Sequence, residues 1–339
     1  MKFDQSGVSV TAWDLVGNAP LVELKSLSEK TGCRIVAKCE FANPGGSIKD
    51  RAAKFMIAKA EREGQLKPGG TIVEGTAGNT GIGLAMLAAS RGYKSIISMP
   101  DNQAAEKYTM LEVLGAEVRK VKPVPFANQD HFYHQARKIA EQTPGAFWAN
   151  QFENTANAQA HEEGTGRELW EQTGGRIDVF TCSVGTGGTI AGVSRALKSR
   201  ARNEGRDVRI ILADPFGSGL FSYKKTGEIK STGSSVTEGI GIMRITANFA
   251  MAEVDDALQV PDQEMIDMLF HLAKHEGLFV GTSAALNVMS AYRLALAEQG
   301  SGKTFATVLC DSGSRYQSKL LSPAWRAEKN LQPKPLPGF

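Results

Sequence analysis

The sequence has no long hydrophobic run and no strong excess of either charge. No segment approaches the roughly 18 consecutive apolar residues that a membrane-spanning helix needs, so we expect no membrane insertion. The 39 basic and 36 acidic side chains leave a formal net charge of +3. These charges do not gather into a basic stripe, and a nucleic-acid-binding surface is therefore not expected.

Cysteine is also scarce, and the four that occur are Cys33, Cys39, Cys182 and Cys310. They form no C-x-x-C pair. His271 and His275 are four positions apart, but no glutamate of a zinc-protease helix lies between them and no third ligand is evident, so we predict buried free thiols and no metal site. Met1 to Val10 contain charged residues and lack the apolar centre of a secretory signal. This favours a cytoplasmic location.

The 339 residues correspond to about two domains at the usual ~100–200 residues each. Short apolar runs alternate with longer amphipathic ones, which predicts an α/β fold with mostly parallel sheets. The predicted strands are residues 34–39, 71–73, 95–99, 117–121, 179–182, 209–213 and 305–309. The predicted helices are residues 49–63, 81–90, 104–114, 130–141, 156–171, 189–198, 262–275 and 284–298.

Two stretches lack this alternation. Residues 214–237 are rich in glycine and serine and are interpreted either as a mobile surface loop or as a lid over a site. The tail after Gln332 contains Pro333, Pro335 and Pro337, which exclude a helix, and we expect it to be loose.

Glycine is the abundant residue: 36 are present, where about 24 would be average. Many lie at junctions between predicted strands and helices, where backbone comes close to a neighbouring group. The first such junction runs from Asn43 to Arg51 and places Ser47 as an N-cap and Lys49 in the first turn of a helix. Because a helix N-terminus disfavours a cation, Lys49 is a candidate for imine chemistry. A solvent-exposed lysine is the alternative.

Two further junctions are predicted anion sites. Glu74 to Gly81 joins a strand to a helix through threonine, glycine and Asn79, which suits a carboxylate, although simple helix capping would explain part of it. Ser183 to Thr189 contains three glycines and two threonines and suits a phosphate. A phosphate site, a carboxylate site and a first-turn lysine together indicate pyridoxal phosphate.

These segments resemble the fold-type II, tryptophan-synthase-β-like group of pyridoxal-phosphate enzymes, and within it the cysteine synthase (O-acetylserine sulfhydrylase) and cystathionine β-synthase family. Residues 43–51 are similar to the segment of the cofactor lysine, residues 76–80 to the substrate-carboxylate loop, and residues 185–189 to the phosphate loop. The segments 16–21, 150–154, 238–241 and 281–283 also match family patterns. The match covers most of the chain.

The resemblance implies a role for each matched residue. Lys49 would be the catalytic residue, bound to the cofactor as an imine and later acting as the base on the α-proton. The implied cofactor-binding residues are Lys49, Asn79, Gly185, Thr186, Gly187, Gly188, Thr189 and Ser283. The implied substrate-binding residues are Thr76, Ala77, Gly78, Thr80 and Gln151. Ser283 would face the pyridine nitrogen; being neutral, it does not stabilise a protonated ring, which favours β-elimination over transamination.

The implied reaction is a β-replacement that makes L-cysteine and acetate from O-acetyl-L-serine and sulfide through an aminoacrylate intermediate. The alternatives are a cystathionine β-synthase-like or cysteine/serine β-lyase activity on the same fold, or a non-catalytic protein that binds the cofactor. The resemblance also implies a homodimer, and some relatives bind the C-terminal tail of serine acetyltransferase.

The resemblance further implies two open, twisted, mostly parallel α/β/α domains with the cofactor in the cleft between them. Residues 46–154 would form the smaller, mobile domain, and residues 1–45 and 155–339 the larger one. Three residues depart from the family pattern. Ala77 stands where many relatives have serine, Ser314 replaces a usual glutamate, and Arg244 is uncommon. Arg244 is interpreted either as a contact for a charged leaving group or second substrate, or as a surface arginine.

Overall fold

The structure is a computed structural model that describes residues 11–339. The prediction about a signal at Met1 to Val10 therefore lies outside the described residues. Two separate β-sheets, each flanked by helices, make up the fold, and their strands are almost all parallel. This confirms the predicted α/β class.

The larger sheet has six strands in the order β1-β2-β10-β7-β8-β9. Only the edge pair β1 and β2 is antiparallel. The central strands are buried on both faces, which explains their continuous apolar runs. The strands are β1 (Leu21–Glu23), β2 (Arg34–Cys39), β7 (Val179–Ser183), β8 (Arg209–Pro215), β9 (Asp256–Val260) and β10 (Thr304–Leu309).

The smaller sheet has four parallel strands in the order β5-β4-β3-β6. These are β3 (Thr71–Gly75), β4 (Lys94–Pro100), β5 (Glu117–Val121) and β6 (Ala146–Trp148). All four lie inside the range 46–154, although the exact domain boundaries stay a prediction. In a parallel sheet the carboxyl ends of the strands share one edge, which is where ligands bind in α/β folds.

The helices cover both sheets. They are α1 (Lys25–Thr31), α2 (Lys49–Arg62), α3 (Asn79–Arg91), α4 (Ala105–Val113), α5 (Phe132–Gln142), α6 (Ala156–Ala160), α7 (Arg167–Thr173), α8 (Gly188–Asn203), α9 (Leu220–Thr226), α10 (Ala247–Ala250), α11 (Asp262–His271), α12 (Thr282–Ala297) and α13 (Pro323–Glu328). Within residues 11–339 no helix is long and apolar enough to cross a membrane.

The structure corrects several expectations about individual elements. Strands β1, β6 and β9, of three to five residues each, are absent from the predicted strands. The predicted helix 156–171 is interrupted by a π-helical turn at His161–Gly166, and the predicted helix 262–275 ends in a second one at Leu272–Glu276. The irregular stretch 214–237 contains helix α9. The tail is not loose, because Leu336 is buried in the core of the larger sheet, as is Leu331 just before the tail.

Helix α8 packs very closely on the π-helical turn His161–Gly166. A Cβ atom added at Gly192 would lie 2.2 Å from the carbonyl oxygen of Ala158. One added at Gly166 would lie 2.5 Å from the Cβ of Ala196. The two helical segments can therefore approach only because both positions are glycine.

We expect Gly192→Ala to lower the free energy of unfolding by about 1–3 kcal/mol, since backbone atoms cannot move aside as a flexible side chain does. Denaturant unfolding of the purified protein measures this change. Ser199→Ala, at an exposed position of the same helix, is the matched control and should change stability by less than about 0.5 kcal/mol. Equal stability of both variants would contradict the close packing.

Candidate active site

A cavity of about 370 Å³ is lined by segments that follow strands of both sheets. Twelve of the predicted site residues line it: Lys49, Thr76, Ala77, Gly78, Asn79, Thr80, Gln151, Gly185, Thr186, Gly187, Thr189 and Ser283. Gly188 is the one predicted site residue that is not among the lining residues. The three glycine-rich junctions of the sequence therefore meet at one place.

Lys49 is the first residue of α2, as the sequence predicts. The Ser47 hydroxyl accepts a hydrogen bond from the Lys49 N–H at 3.3 Å, although the formal N-cap residue is Ile48. The Ile48 N–H donates to the carbonyl of Cys310 at 2.9 Å, which anchors the start of the helix to the segment that follows β10. The amine thus belongs to a fixed helix start with a positive dipole end.

The predicted phosphate loop joins β7 to α8. Each of its three glycines is required for a different steric reason. A Cβ atom at Gly185 would lie 2.2 Å from the carbonyl oxygen of Gly239. Gly187 has a φ of +90°, which other residues rarely adopt. A Cβ atom at Gly188 would lie 2.1 Å from the side chain of Asn157, so Gly188 allows helix packing behind the loop. The backbone N–H groups at the start of a long helix such as α8 suit an anion, so the phosphate loop stays a prediction that this geometry allows.

The side-chain amide of Asn79, the first residue of α3, forms hydrogen bonds with two partners. Its Nδ2 donates to Asp311 at 2.7 Å, and its Oδ1 accepts from Arg315 at 2.5 Å. Since an amide nitrogen carries two N–H groups, one donor is left for a cofactor oxygen. Gly78, with a φ of +133°, turns the chain just before this helix.

The predicted carboxylate loop is held from behind by Gln151. Its side-chain oxygen accepts a hydrogen bond from Thr80, and its Nε2 donates to the Gly75 carbonyl at 3.0 Å. The Gly78 N–H donates to the Thr76 hydroxyl at 3.1 Å. Beneath the loop, burial raises the pKa of Glu74 to about 8, although hydrogen bonds from Gln151 and Gly75 act in the opposite direction. The loop therefore rests on a neutral carboxyl group near pH 7.

Ser283 lies in the first turn of α12 and lines the cavity beside a thiol that the sequence analysis treated only as buried. Burial raises the pKa of the Cys310 thiol to about 11, while Lys49 and a hydrogen bond with Ser283 lower it in part. Burial also raises the pKa of Cys182 well above its usual value. Both thiols line the cavity and stay protonated. Their positions directly at the ends of β10 and β7 are the signal that sequence reasoning missed.

The Ser183 hydroxyl is buried and has no hydrogen-bond partner among the described residues. Ser183 lines the cavity between the lysine and the phosphate loop. An orphaned buried hydroxyl calls for a polar ligand. Together with the three loop positions where only glycine fits, this is compatible with a group that carries both a phosphate and polar ring substituents. Among residues 11–339, no three His, Cys, Asp or Glu side chains are placed to bind a metal.

Arg244 is not a surface arginine. Its guanidinium group packs on the rings of Phe126, Tyr133 and Phe152, at 4.4–5.1 Å from the ring centroids, and forms an ion pair with Glu153. The side chain lines the cavity, and its Nη2 is buried without a hydrogen-bond partner in the part of the chain described. Sequence reasoning did not find this aromatic cage, because its rings come from three separate segments.

A second ion pair lies at the other end of the loop Glu238–Arg244. Glu238 accepts from Lys107 of helix α4 at 2.6 Å and from Lys319 at 2.5 Å. Burial raises the pKa of Glu238, but the two lysines lower it more, so the carboxylate stays charged. The loop Glu238–Arg244 therefore contacts residues of the 46–154 range at both ends. Ser314, in contrast, is exposed, and its hydroxyl bonds to that of the neighbouring Ser312.

Comparisons with known proteins agree with this geometry. Residues 12–311 match the sequence profile of a family described as pyridoxal-phosphate dependent enzymes. "Cysteine synthase 1" of Emericella nidulans is 49% identical over 323 residues, which cover 94% of this chain and 86% of that relative. "Cysteine synthase" of Dictyostelium discoideum is 47% identical over 337 residues, covering 96% and 88%.

A solved structure is also similar. The O-acetylserine dependent cystathionine beta-synthase of Helicobacter pylori superposes with a TM-score of 0.82 at 30% identity, covering 92% of this chain and 98% of that one. The resemblance stated from the sequence is thereby confirmed, as are the fold class and the pyridoxal-phosphate cofactor. This chain belongs to the family of pyridoxal-phosphate dependent enzymes.

Proposed function

We propose that this enzyme is a cysteine synthase that makes L-cysteine and acetate from O-acetyl-L-serine and sulfide. The observation that carries the proposal is the meeting of Lys49, the carboxylate loop 76–80 and the phosphate loop 185–189 in one cavity. The names of relatives that are 47–49% identical over most of the chain support it.

Each group in the cavity has a part in this proposal. When bound, pyridoxal phosphate supplies an aldehyde for the substrate amine and a conjugated ring that withdraws electrons from the α-carbon. Thr76, Gly78 and Thr80 hold the substrate carboxylate at the N-terminus of α3, with Gln151 bracing Thr80 and Ala77 adding no hydroxyl. Lys49 takes the α-proton and returns it to the product.

The ring end of the site favours elimination in this proposal. Ser283 and the protonated Cys310 present only neutral groups there, so neither pairs with a positive charge on the pyridine nitrogen. The electron sink is therefore moderate, which suits loss of a β-substituent more than transfer of the amino group.

The test is the visible absorption spectrum of the purified enzyme before and after addition of O-acetyl-L-serine without sulfide. We expect a yellow enzyme whose spectrum changes with the donor and returns when sulfide is added, with one cysteine formed per acetate released. A yellow enzyme that ignores O-acetyl-L-serine would contradict the proposed donor. A colourless enzyme that pyridoxal phosphate does not reconstitute would overturn the assignment of the cavity.

A cystathionine β-synthase-like activity is the second candidate. The similar Helicobacter pylori structure carries that name, and Arg244 supplies a cavity-facing guanidinium, a group suited to carboxylate or phosphate. Replacing sulfide with homocysteine in the same assay separates the two candidates. Formation of cystathionine at a rate comparable to that of cysteine would favour this second one.

Arg244 allows a direct test of substrate choice. If it contacts a charged leaving group, Arg244→Met should lower kcat/KM for O-phospho-L-serine about tenfold relative to O-acetyl-L-serine, because a bond to a charged partner is lost. Glu153 already neutralises the guanidinium, so Glu153→Gln is the complementary variant and should shift the preference towards the phosphorylated donor. An unchanged ratio in both variants would remove Arg244 from donor selection.

Other parts of the proposal concern the assembly. We propose a homodimer and a cytoplasmic enzyme, and we keep binding of a serine acetyltransferase tail as a prediction. The small range 46–154 is proposed to move against the rest of the chain when substrate binds. Sedimentation of the purified enzyme, with and without a synthetic acetyltransferase tail peptide, tests the homodimer and the binding of the tail.

A further inference from the structure

Two buried side chains stand directly behind the two threonines of the phosphate loop. Asn157 Nδ2 donates to Thr186 Oγ1 at 2.9 Å, and His161 Nε2 lies 3.4 Å from Thr189 Oγ1. Asn157 and His161 are each only 1% exposed, and they are four positions apart on one side of a continuous helical segment.

The local backbone makes these contacts possible. His161 begins the π-helical turn His161–Gly166, and such turns are frequent at functional sites. The Cβ atom of His161 would lie 2.7 Å from a Cβ atom at Gly192, so the ring reaches α8 only because that position is glycine. Neither Asn157 nor His161 is among the residues that line the cavity.

The contact from Asn157 fixes the direction of one hydroxyl proton. An amide nitrogen only donates, so Thr186 Oγ1 accepts at this contact. A hydroxyl has a single proton and two lone pairs. The Thr186 O–H is therefore left to donate on its other side, and Thr186 lines the cavity.

His161 stands in the same relation to the second threonine. Burial lowers the pKa of His161 well below its usual value, and the charges of Arg51 and Lys49 lower it further. The ring is thus neutral and carries one N–H. His161 Nδ1 lies 3.0 Å from the hydroxyl of Thr165, which can donate to it. The ring proton is then on Nε2 and points to Thr189.

The opposite tautomer has less support from the neighbouring groups. It would require Thr165 to pass its proton to Glu40, at a distance of 3.5 Å. Glu40 already accepts from Arg51 at 2.8 Å and from Asn43 at 2.7 Å. Both of these bonds go to Glu40 Oε2, whereas Thr165 contacts Oε1. At 3.5 Å that contact is longer than the 3.0 Å contact between Thr165 and His161 Nδ1, which favours donation to the ring. A phosphate dianion in the cavity is in turn a strong acceptor for Thr189.

We propose that Asn157 and His161 are positioning residues that direct the O–H groups of Thr186 and Thr189 towards the cofactor phosphate, His161 as the Nε2–H tautomer. This inference rests on the proposed assignment of residues 185–189 as the phosphate loop. It extends the site one layer outwards, to side chains that never touch the cofactor.

The experiment uses the holoenzyme and observes the phosphate of the bound cofactor directly. The ³¹P resonance of the bound cofactor and the rate of cofactor loss on dilution are measured for His161→Leu and His161→Gln. We expect His161→Leu to move the resonance towards that of free pyridoxal phosphate and to speed cofactor loss about tenfold, as for one weakened bond to a charged group. His161→Gln retains a donor and should restore both values in large part.

Two further variants separate the possible failures. His271→Gln replaces another buried histidine, one that bonds Ser26 in the larger sheet's helical layer, and should leave the ³¹P resonance unchanged. Thr189→Val tests the loop itself. An effect of Thr189→Val without an effect of His161→Leu would overturn the inference and leave the phosphate loop standing. No effect of either variant would overturn both. If His161→Leu does not fold, Thr165→Val takes its place, because it removes the hydroxyl that holds the ring proton on Nε2. An unchanged ³¹P resonance in Thr165→Val would then overturn the inference.

Discussion

Lys49→Ala is expected to lower kcat for cysteine formation by about 10²–10⁴-fold, the range of a lost positioned acid–base group. The reason is that Lys49 provides the amine at the cavity, at the fixed start of α2. Initial rates of cysteine formation with O-acetyl-L-serine and sulfide give the measurement. A small primary amine added to the assay should restore part of the rate, since it replaces the missing base from solution.

The matched control is Lys59→Ala, on the same helix but not among the residues that line the cavity. Its rate should stay within about twofold of the parent, as expected for a change away from the chemistry. A Lys49→Ala enzyme that keeps more than a tenth of the parental kcat would remove Lys49 from the catalytic role.

Glu168→Ala is expected to cost about 3–5 kcal/mol of unfolding free energy, because it leaves the buried Lys38 without a paired carboxylate and the buried Arg51 with Glu40 alone. Glu168 accepts hydrogen bonds from both terminal nitrogens of Arg51 at 2.7 Å and forms an ion pair with Lys38 at 2.7 Å. Arg51 and Lys38 are at most 4% exposed. The network joins helix α2, strand β2 and helix α7, so its loss affects the support of the lysine helix as well as the core.

Denaturant unfolding of the holoenzyme checks this value, with Glu171→Ala as the control. Glu171 pairs with Arg167 on the surface of the same helix, and its loss should cost at most about 0.5 kcal/mol. Burial raises the pKa of Glu168, but Arg51 and Lys38 lower it more, to about 2 from 4.5. The carboxylate therefore stabilises the fold above about pH 4.5, and this contribution is lost as the pH falls towards 2. Equal losses in the two variants would contradict the predicted role of burial.

The sequence predicted those parts of the fold and site whose signals are local. Strands β2 and β5 were predicted at their exact bounds, because a buried or alternating run of five or six residues is visible by itself. The three glycine-rich junctions were found for the same reason. Each contains its lysine, threonines or glycines within a few consecutive positions, and all three line one cavity.

What could not be predicted depends on residues far apart in the chain. Cys310 contacts the Lys49 region through a segment that follows the last strand, and the cage around Arg244 combines residues 126, 133 and 152. The tail illustrates the same limit: its prolines do exclude a helix, but Leu331 and Leu336 find a place in a core built by distant helices. Such contacts have no periodicity in sequence, and only the fold brings them together.

The connection between the lysine helix and the segment after β10 has a consequence for the proposed movement of residues 46–154. Ser47 forms a β-bridge with Asp311, and Arg315 donates to the Gly45 carbonyl and to Asn79. In the proposed movement of residues 46–154, these bonds would act as a pivot, so that a rotation of the smaller sheet would produce little displacement at Lys49 and a larger one at the far rim of the cavity. The ion pairs of Glu238 and Arg244 lie on that rim. Opening of the cleft would therefore break the rim contacts and admit substrate while the reactive amine stays in register with the phosphate loop.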